Sequence, residues 1–178
     1  MDSADPVCGT VDEAPPASER ARVWSCRGVK FVNARYVTHR YCPHFHDDYS
    51  IGIILEGVLG FRRGKAEFEA ASGVISAINP GEIHTGCAES PGGWQARNIL
   101  VGPGQLRELL PEAFGGAGRY EPMFEAPIIT DLGVANRLLE AHRLTGSACS
   151  QFEKESALVS ALGALFALHA PARDRSDR

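Results

Sequence analysis

A chain of 178 residues, 44% of them hydrophobic and 22% charged, has the composition of one globular domain with a hydrophobic core. Its net charge of −4 and pI of about 5.9 argue against a protein that grips nucleic acid alone, because phosphate binding requires a basic face. No apolar run reaches the roughly 18 residues of a membrane helix. The acidic, proline-bearing N-terminus lacks the basic start and apolar stretch of a signal peptide.

Cysteine usage favours a reduced intracellular protein. The five cysteines are scattered along the chain and odd in number: Cys8, Cys26, Cys42, Cys87 and Cys149. None belongs to a CxxC motif, so a disulfide scaffold is not indicated. We therefore expect reduced thiols and a cytoplasmic location.

Short strands separated by turns fill the first two thirds of the chain. Residues 1–20 are expected to form a flexible arm, since they cannot build a core. The predicted strands cover residues 22–26, 29–38, 49–55, 58–62, 66–70, 74–78, 84–88 and 94–101. Turn residues bound them, including a predicted turn at residues 56–57. This spacing is typical of an antiparallel sandwich or barrel.

The pattern changes after the last of these strands. Residues 105–114 predict a short helix that Pro111 interrupts, and residues 123–129 predict one more strand. Residues 171–178 are charged and resemble a tail or linker.

Two helices are predicted between residues 130 and 170. Thr130 is expected to cap the first, which ends near Leu144 with Gly146 just beyond it. Ser150 opens a capping box for the second, which runs to about His169. The second helix has a wide apolar face: Phe152, Leu158, Val159, Leu162, Leu165, Phe166 and His169. This face packs on the barrel and the preceding helix, or it forms a dimer interface.

Three histidines mark the candidate functional site. His44 and His46 are two residues apart, so on an extended strand their side chains point to the same side. His84 follows a strong turn signal at residues 79–82, which can bring it close to the first two.

Two explanations of the three histidines remain open. Neutral imidazoles bind zinc, nickel, iron or copper, and a metal site often takes three protein ligands and keeps an open position. Glu82 or Asp48 is then the candidate fourth ligand. Alternatively, the histidines hydrogen-bond in a polar cavity that holds no metal.

Candidate ligand-binding residues surround the histidines. They are His44, His46, Tyr49, Glu82, His84 and Trp94. The aromatic members are more often plain core residues, and the carboxylates are more often surface residues. No phosphate-binding loop, dinucleotide fingerprint or Gly-x-Ser-x-Gly motif is present.

Several of these motifs together resemble a known family. The sequence His44-x-His46, a later Gly73 and Pro80-Gly81-Glu82-Ile83-His84 is similar to the two motifs of cupins, which are small β-barrels. With Leu55-Glu56-Gly57, Thr85-Gly86 and Gly93-Trp94, residues 20–170 resemble the N-terminal sensor domain of AraC-type transcriptional regulators.

The resemblance implies a cupin-like antiparallel β-barrel, or jelly roll, followed by C-terminal helices. It implies an effector-binding barrel at residues 21–129 and a helical pair at residues 130–170 that forms a homodimer. Family members bind DNA through two later helix-turn-helix motifs. Only nine residues follow His169, so DNA binding is expected only of a longer parent protein.

Two departures from the cupin pattern bear on catalysis. The carboxylate that cupin enzymes place four or five residues after the second histidine is replaced by Ser50 and Ile51. The second motif ends in Ala88, where cupins carry an asparagine. We therefore expect an effector sensor that is not an enzyme, with a zinc or nickel ion as the candidate cofactor. A metal-dependent cupin oxygenase or isomerase, or a metal-ion sensor, is the alternative.

Overall fold

The computed structural model describes residues 19–114 and 120–174. Within them the strands are β1 Arg20–Cys26, β2 Val29–Tyr36, β3 Tyr41–His44, β4 Tyr49–Arg63, β5 Ala66–Ala71, β6 Ile75–Ile78, β7 His84–Ala88, β8 Trp94–Val101, β9 Tyr120–Pro122, β10 Ile128–Ile129 and β11 Ala172–Asp174. The helices are α1 Pro103–Leu109, α2 Leu132–Thr145 and α3 Gln151–His169, with a 3₁₀ turn at Pro111–Phe114. The predicted fold class, mainly β with C-terminal helices, is confirmed.

The strands form two antiparallel layers that share the long strand β4. The first half of β4 pairs with β6 and β8, and this first layer continues from β8 through β2 to β1, and from β6 to β10. The second half of β4 pairs with β5 and β7, and β3 completes the second layer beside β7. Because β4 crosses from one layer to the other, it holds the barrel together.

The predicted turn at residues 56–57 is wrong, because β4 runs through it. The register of β4 against β8 shifts between Ile54 and Glu56, which marks a β-bulge. Gly57 has a φ of +72°, and a Cβ there would collide with the carbonyl oxygen of Gly93. The glycine that signals a turn therefore serves a bend within one strand.

The two faces of the first layer have different partners. Tyr49, Ile51 and Ile53 belong to a buried cluster with residues of α2 and α3. Because side chains alternate along a strand, Ser50, Gly52 and Ile54 face the second layer. Ile54 lies in a smaller buried cluster that unites both layers: Ile54, Phe61, Ala70, Ile78, Trp94 and Ala96. The space between the layers is called the barrel interior below.

Helices α2 and α3 cover the outer face of the first layer. The N-cap of α2 is Asp131 and not the predicted Thr130, because the Asp131 carboxylate accepts a hydrogen bond from the backbone N–H of Val134 at 3.0 Å. The capping box of α3 at Ser150 is present as predicted, and α3 ends at His169. Among the described residues, no helix is long and apolar enough to cross a membrane.

The wide apolar face of α3 is only partly covered. Its buried members are Leu158, Leu162, Leu165 and Phe166. Phe152 stays 79% exposed and Val159 37% exposed. The Nε2 atom of His169 instead lies at hydrogen-bond distance, 3.0 Å, from the carboxylate of Asp131 at the start of α2.

The segments between the barrel and α2 differ from the prediction. The first helix starts earlier, at Pro103, and Pro111 begins a separate 3₁₀ turn. The predicted strand at residues 123–129 is reduced to β10, which pairs with β6. Residues 172–174 of the predicted tail pair with β9, so they are part of a small second sheet.

Glu19, the first described residue, fastens the chain beside the barrel. Its buried carboxylate accepts hydrogen bonds from three successive backbone N–H groups, those of Val37, Thr38 and His39. Burial raises the pKa of Glu19, but these hydrogen bonds outweigh it and leave the pKa lowered. The predicted arm before it lies outside the described residues.

The cysteines agree only in part with the prediction of reduced thiols. Cys26, Cys87 and Cys149 are free. Cys42 is disulfide-bonded, so the prediction is wrong at that position. Cys8 lies outside the described residues.

Candidate functional site

Strands β3 and β7 and one loop bring the three histidines together. His44 and His84 are directly opposite each other in the antiparallel pairing of β3 with β7. His46 lies two residues beyond β3, where its carbonyl oxygen accepts a hydrogen bond of 2.9 Å from the backbone N–H of Gly81. Gly81 has a φ of +76°, so the predicted turn at residues 79–82 both holds His46 and delivers His84.

The three imidazole rings form one compact group. The ring centroids of His44 and His84 are 4.3 Å apart, those of His46 and His84 4.9 Å, and those of His44 and His46 6.1 Å. One candidate ligand nitrogen from each ring lies within 4.8 Å of the others. All three rings are partly buried, so the group lies in a sheltered place and not on open surface.

Backbone carbonyl groups fix the tautomer of all three rings. The Nδ1 atoms of His44, His46 and His84 lie 2.7, 2.7 and 2.9 Å from the carbonyl oxygens of residues 42, 48 and 82, respectively. A carbonyl oxygen only accepts hydrogen bonds, so each Nδ1 must carry the proton. Each Nε2 atom is therefore the ring nitrogen left with a free lone pair, which is the form that ligates metals.

The surroundings of His84 favour its neutral form. Burial lowers the pKa of His84, and the neighbouring rings of His44 and His46 lower it further. The hydrogen bond to the Glu82 carbonyl oxygen and the Glu82 charge oppose this effect without reversing it. His84 is therefore available as a neutral ligand at pH 7.

The predicted fourth ligands do not join the group. The Glu82 carboxylate accepts a hydrogen bond from the backbone N–H of Asn79 at 2.9 Å and pairs with Arg63 at 3.1 Å. Asp48 contributes its backbone oxygen to His46, while its carboxylate lies near Gly102. Among the described residues, the histidines form the metal-type group without either carboxylate.

The two predicted aromatic residues have different positions. Tyr49 faces away from the barrel interior: its hydroxyl donates a hydrogen bond of 2.8 Å to the carbonyl oxygen of Pro122, and its ring packs on Phe166 of α3. It is a core residue, and the structure does not bring it together with the three histidines. Trp94 lies in the interior cluster, 3% exposed, and packs against Tyr36.

Several residues near the histidines were not predicted from the sequence. Arg63 is directly opposite His84 in the pairing of β4 with β7, and its Nη2 atom donates to the carbonyl oxygen of Glu125 at 3.2 Å. Tyr41 packs against His44, and its hydroxyl donates to that of Tyr36 at 2.6 Å. Alternation along β4 places Arg63 on the same face as Phe61, whereas alternation does not predict the position of Tyr41, because the register of β3 against β7 shifts between Tyr41 and His44.

A divalent cation fits the donor set of the three histidines. Neutral imidazole nitrogens suit zinc, nickel, copper or iron, and three protein ligands leave coordination positions open to another molecule. The carbonyl contacts at each Nδ1 are the outer partners that ligating histidines usually have. The Nε2 atoms of His44, His46 and His84 would hold the ion.

Two antiparallel layers with a histidine group inside define a cupin-type barrel. The family described as the AraC-like ligand binding domain matches residues 28–166 of the sequence. The chain therefore belongs to the AraC-like ligand-binding domain family.

Solved structures of other proteins resemble part of this chain. No curated protein matches the sequence. A cupin superfamily protein from Desulfitobacterium hafniense is 11% identical, with a TM-score of 0.44 over 51% of this chain and 83% of that chain. KdgF from Halomonas sp. is 12% identical, with a TM-score of 0.43 over 50% and 85%. A cupin-2 domain containing protein from Shewanella frigidimarina is 20% identical, with a TM-score of 0.40 over 45% and 78%.

Proposed function

We propose that this domain binds a small-molecule effector in the barrel interior and thereby controls DNA binding by an AraC-type transcriptional regulator. The effector binds at a zinc or nickel ion held by His44, His46 and His84. The domain acts as a homodimer in the cytoplasm, where the regulator meets DNA.

One observation carries the effector site. Each of the three imidazoles has its Nδ1 proton engaged by a carbonyl oxygen, which leaves three Nε2 lone pairs in one group. Three Nε2 lone pairs this close together can all bind one cation. An ion with three protein ligands offers its remaining positions to an oxygen or nitrogen atom of an effector.

The surroundings of the histidines favour a sensor over an enzyme. Ser50 replaces the carboxylate of cupin enzymes on the interior face of β4, and Ile51 points to the helices. The Glu82 carboxylate is engaged by Arg63 and by a backbone N–H group. A carboxyl group that acts as general acid or base must be free to exchange a proton with the substrate, and neither residues 50–51 nor Glu82 provides such a group.

Metal analysis tests the site. We expect the purified protein to bind one zinc or nickel ion per chain, and His84→Ala to weaken the affinity about 100-fold or more because one of three ligands is lost. His169→Ala is the control, since His169 lies on α3 beside Asp131. Equal metal affinity in the His84 variant and the wild type would overturn the proposed site.

A turnover assay separates the sensor from a cupin enzyme. A sensor returns each bound compound unchanged, so mass spectrometry of metal-loaded protein incubated with its ligand in air should recover only that ligand. Stoichiometric iron, nickel or manganese together with product formation would establish the enzyme instead. For the regulator role, the expected observation is a coding sequence that continues past Arg178 into two helix-turn-helix motifs.

A further inference from the structure

A polar patch lies on the interior face of the first layer, whereas the histidines belong to the second layer and the loop beside it. It consists of Ser50 and Gly52 on β4, Ser76 on β6 and Asn98 on β8. Gly52 is paired with Ser76 on one side and with Asn98 on the other, so the four residues are neighbours. Asn98 shares its strand face with Trp94 and Ala96 of the interior cluster.

Gly52 is required for space and not for backbone conformation. Its φ is not positive, unlike that of Gly57 or Gly93, so other residues fit its backbone. A Cβ at this position would lie 2.6 Å from the Ser76 hydroxyl oxygen and 2.7 Å from the Asn98 side-chain oxygen. Because Gly52 has no side chain, the Ser76 hydroxyl and the Asn98 amide both have room beside it. A position that served only to pack the interior would not need this space for polar groups.

Two of the three polar side chains of the patch form no hydrogen bond within the described residues, and the third uses only its proton. The Ser76 hydroxyl donates to the carbonyl oxygen of Gly52 at 3.2 Å. The half-buried side chains of Ser50 and Asn98 have no hydrogen-bond partner among the residues that the structure describes. A polar side chain inside a protein is normally hydrogen-bonded to protein or to ordered water, so the Asn98 amide is available to a ligand that displaces water.

The patch and the histidines occupy facing walls of one interior. His84 lies opposite Arg63 on β4, on the same strand face as Phe61, and Phe61 belongs to the interior cluster. Packed sheets are about 10 Å apart, a distance that a six-membered ring with a substituent at each end can span. The apolar interior cluster lies beside both polar groups, so the middle of a bound molecule meets carbon atoms.

We propose that Ser50 and Asn98 form a second polar subsite, for which Gly52 makes room, and that it selects the effector. This proposal rests on the proposed function of the histidines. The effector is a small aromatic or short-chain molecule with a metal-binding anionic oxygen at one end. Its other end carries a neutral hydroxyl or amide group, because Ser50, Ser76 and Asn98 offer hydrogen bonds without charge.

Hydroxamic acids provide a probe that tests the two ends separately. Benzohydroxamic acid has only the metal-binding end, whereas its 3-hydroxy and 4-hydroxy derivatives add a distal hydroxyl group. We expect at least one derivative to bind zinc-loaded protein about fivefold more tightly than the parent compound, the ratio that one hydrogen bond typically provides. Isothermal titration calorimetry measures the affinities.

Variants of the polar patch test whether the patch causes the tighter binding of the hydroxy derivatives. Asn98→Leu and Ser50→Ala should each reduce the gain while they leave the affinity for benzohydroxamic acid within twofold. Gly52→Ala should also abolish it, because the new methyl group displaces Asn98. Gln95→Leu is the control, since Gln95 lies on the opposite face of β8 from Asn98.

The outcomes separate the two proposals. If the parent compound binds but no derivative binds more tightly, or if the gain survives in both Asn98→Leu and Ser50→Ala, the second subsite is overturned and the histidine site stands. If none of the compounds binds zinc-loaded protein, the proposed effector site fails and the subsite fails with it. Should Asn98→Leu not fold, Ser50→Ala alone decides, because it removes one oxygen atom and little packing.

Discussion

His142 links helix α2 to the first layer from within the hydrophobic core. Its side chain is 2% exposed, and its Nε2–H donates a hydrogen bond of 3.1 Å to the carbonyl oxygen of Val32. The rings of Trp24 and Phe31 contact it edge-on, at centroid distances of 4.7 and 5.6 Å. Burial lowers the pKa of His142 to about 4, the Arg97 charge adds to this, and the hydrogen bond to Val32 opposes it.

Acid should destabilise the protein through His142. The unfolded chain takes up the proton near the ordinary pKa of 6.5, and the folded chain only near 4, so stability falls as the pH decreases through this window. The contribution of this residue is roughly 3 kcal/mol. Urea unfolding at pH 7 and pH 4.5 measures it.

His142→Gln isolates this effect, because glutamine keeps a donor for Val32 and does not titrate. The variant should lose less stability between the two pH values than the wild type. His169→Gln, at a partly exposed histidine, should behave as the wild type does. Identical losses in His142→Gln and the wild type would contradict the prediction.

For individual side chains, the sequence predicts the positions of the three histidines better than the positions of the residues around them. The spacing of His44 and His46 and the turn before His84 suffice to bring three imidazoles together. The chemistry of Tyr49 suggests a ligand contact, whereas alternation from His44 places Ser50 on the interior face and Tyr49 on the face covered by the helices. The unpartnered state of Asn98 depends on neighbouring strands distant in sequence, so no local pattern could show it.

Helix α3 has a side that nothing in the described chain covers. Phe152 and Val159 are seven residues apart, which places them on one side of the helix two turns apart. Gly163 continues this side into an apolar groove lined by Leu110 and Phe166, among others. A second copy of the same helix matches such a long apolar side, and this supports the proposed homodimer.

Charge on this side should dissociate the dimer. In Phe152→Glu/Val159→Glu, we expect the dimer dissociation constant to rise about 100-fold or more, because two apolar side chains are lost from the interface. Sedimentation velocity measures the mass, and circular dichroism checks the fold. Leu168→Glu is the matched control, since Leu168 is 65% exposed but lies on the other side of α3. If the double variant stays dimeric, this side of α3 is not the dimer interface.

The sequence predicts a helix or strand boundary correctly where neighbouring residues alone determine it. The prediction is wrong where contacts with distant segments determine the boundary. The capping box of α3 is complete within four residues, so its start is correct. The predicted cap of α2, Thr130, is one residue early because threonine and aspartate are both good N-caps and the sequence offers them side by side. The predicted turn at residues 56–57 is wrong because a glycine with positive φ is compatible with a turn and with a β-bulge. The pairing of β4 with β8 decides for the bulge.

Metal binding should stabilise the whole barrel. His44 lies on β3, His84 on β7 and His46 on the loop between β3 and β4, so one ion would join three segments of the second layer. At a free metal concentration of 100 times Kd, the free energy of unfolding rises by about 2.7 kcal/mol. This corresponds to an increase in Tm of roughly 5–10 °C for a domain of this size.

Thermal unfolding followed by circular dichroism, with and without zinc, measures this increase, and a chelator should reverse it. His46→Ala should retain the apo Tm within a few degrees but lose most of the shift on adding zinc. An equal shift in wild type and variant would mean that zinc stabilises the protein from another place.

The shared strand β4 also has a consequence for how the domain folds. β4 pairs with β5 next to it along the chain, but its first residues pair with β8, where Tyr49 lies opposite Val101. Pairing between such distant segments forms slowly, because a long loop must close first. Asn98 lies on β8, so the wall opposite the histidines is absent until that closure. A ligand that needs both walls therefore binds only chains that have completed folding, and its binding provides a direct count of them.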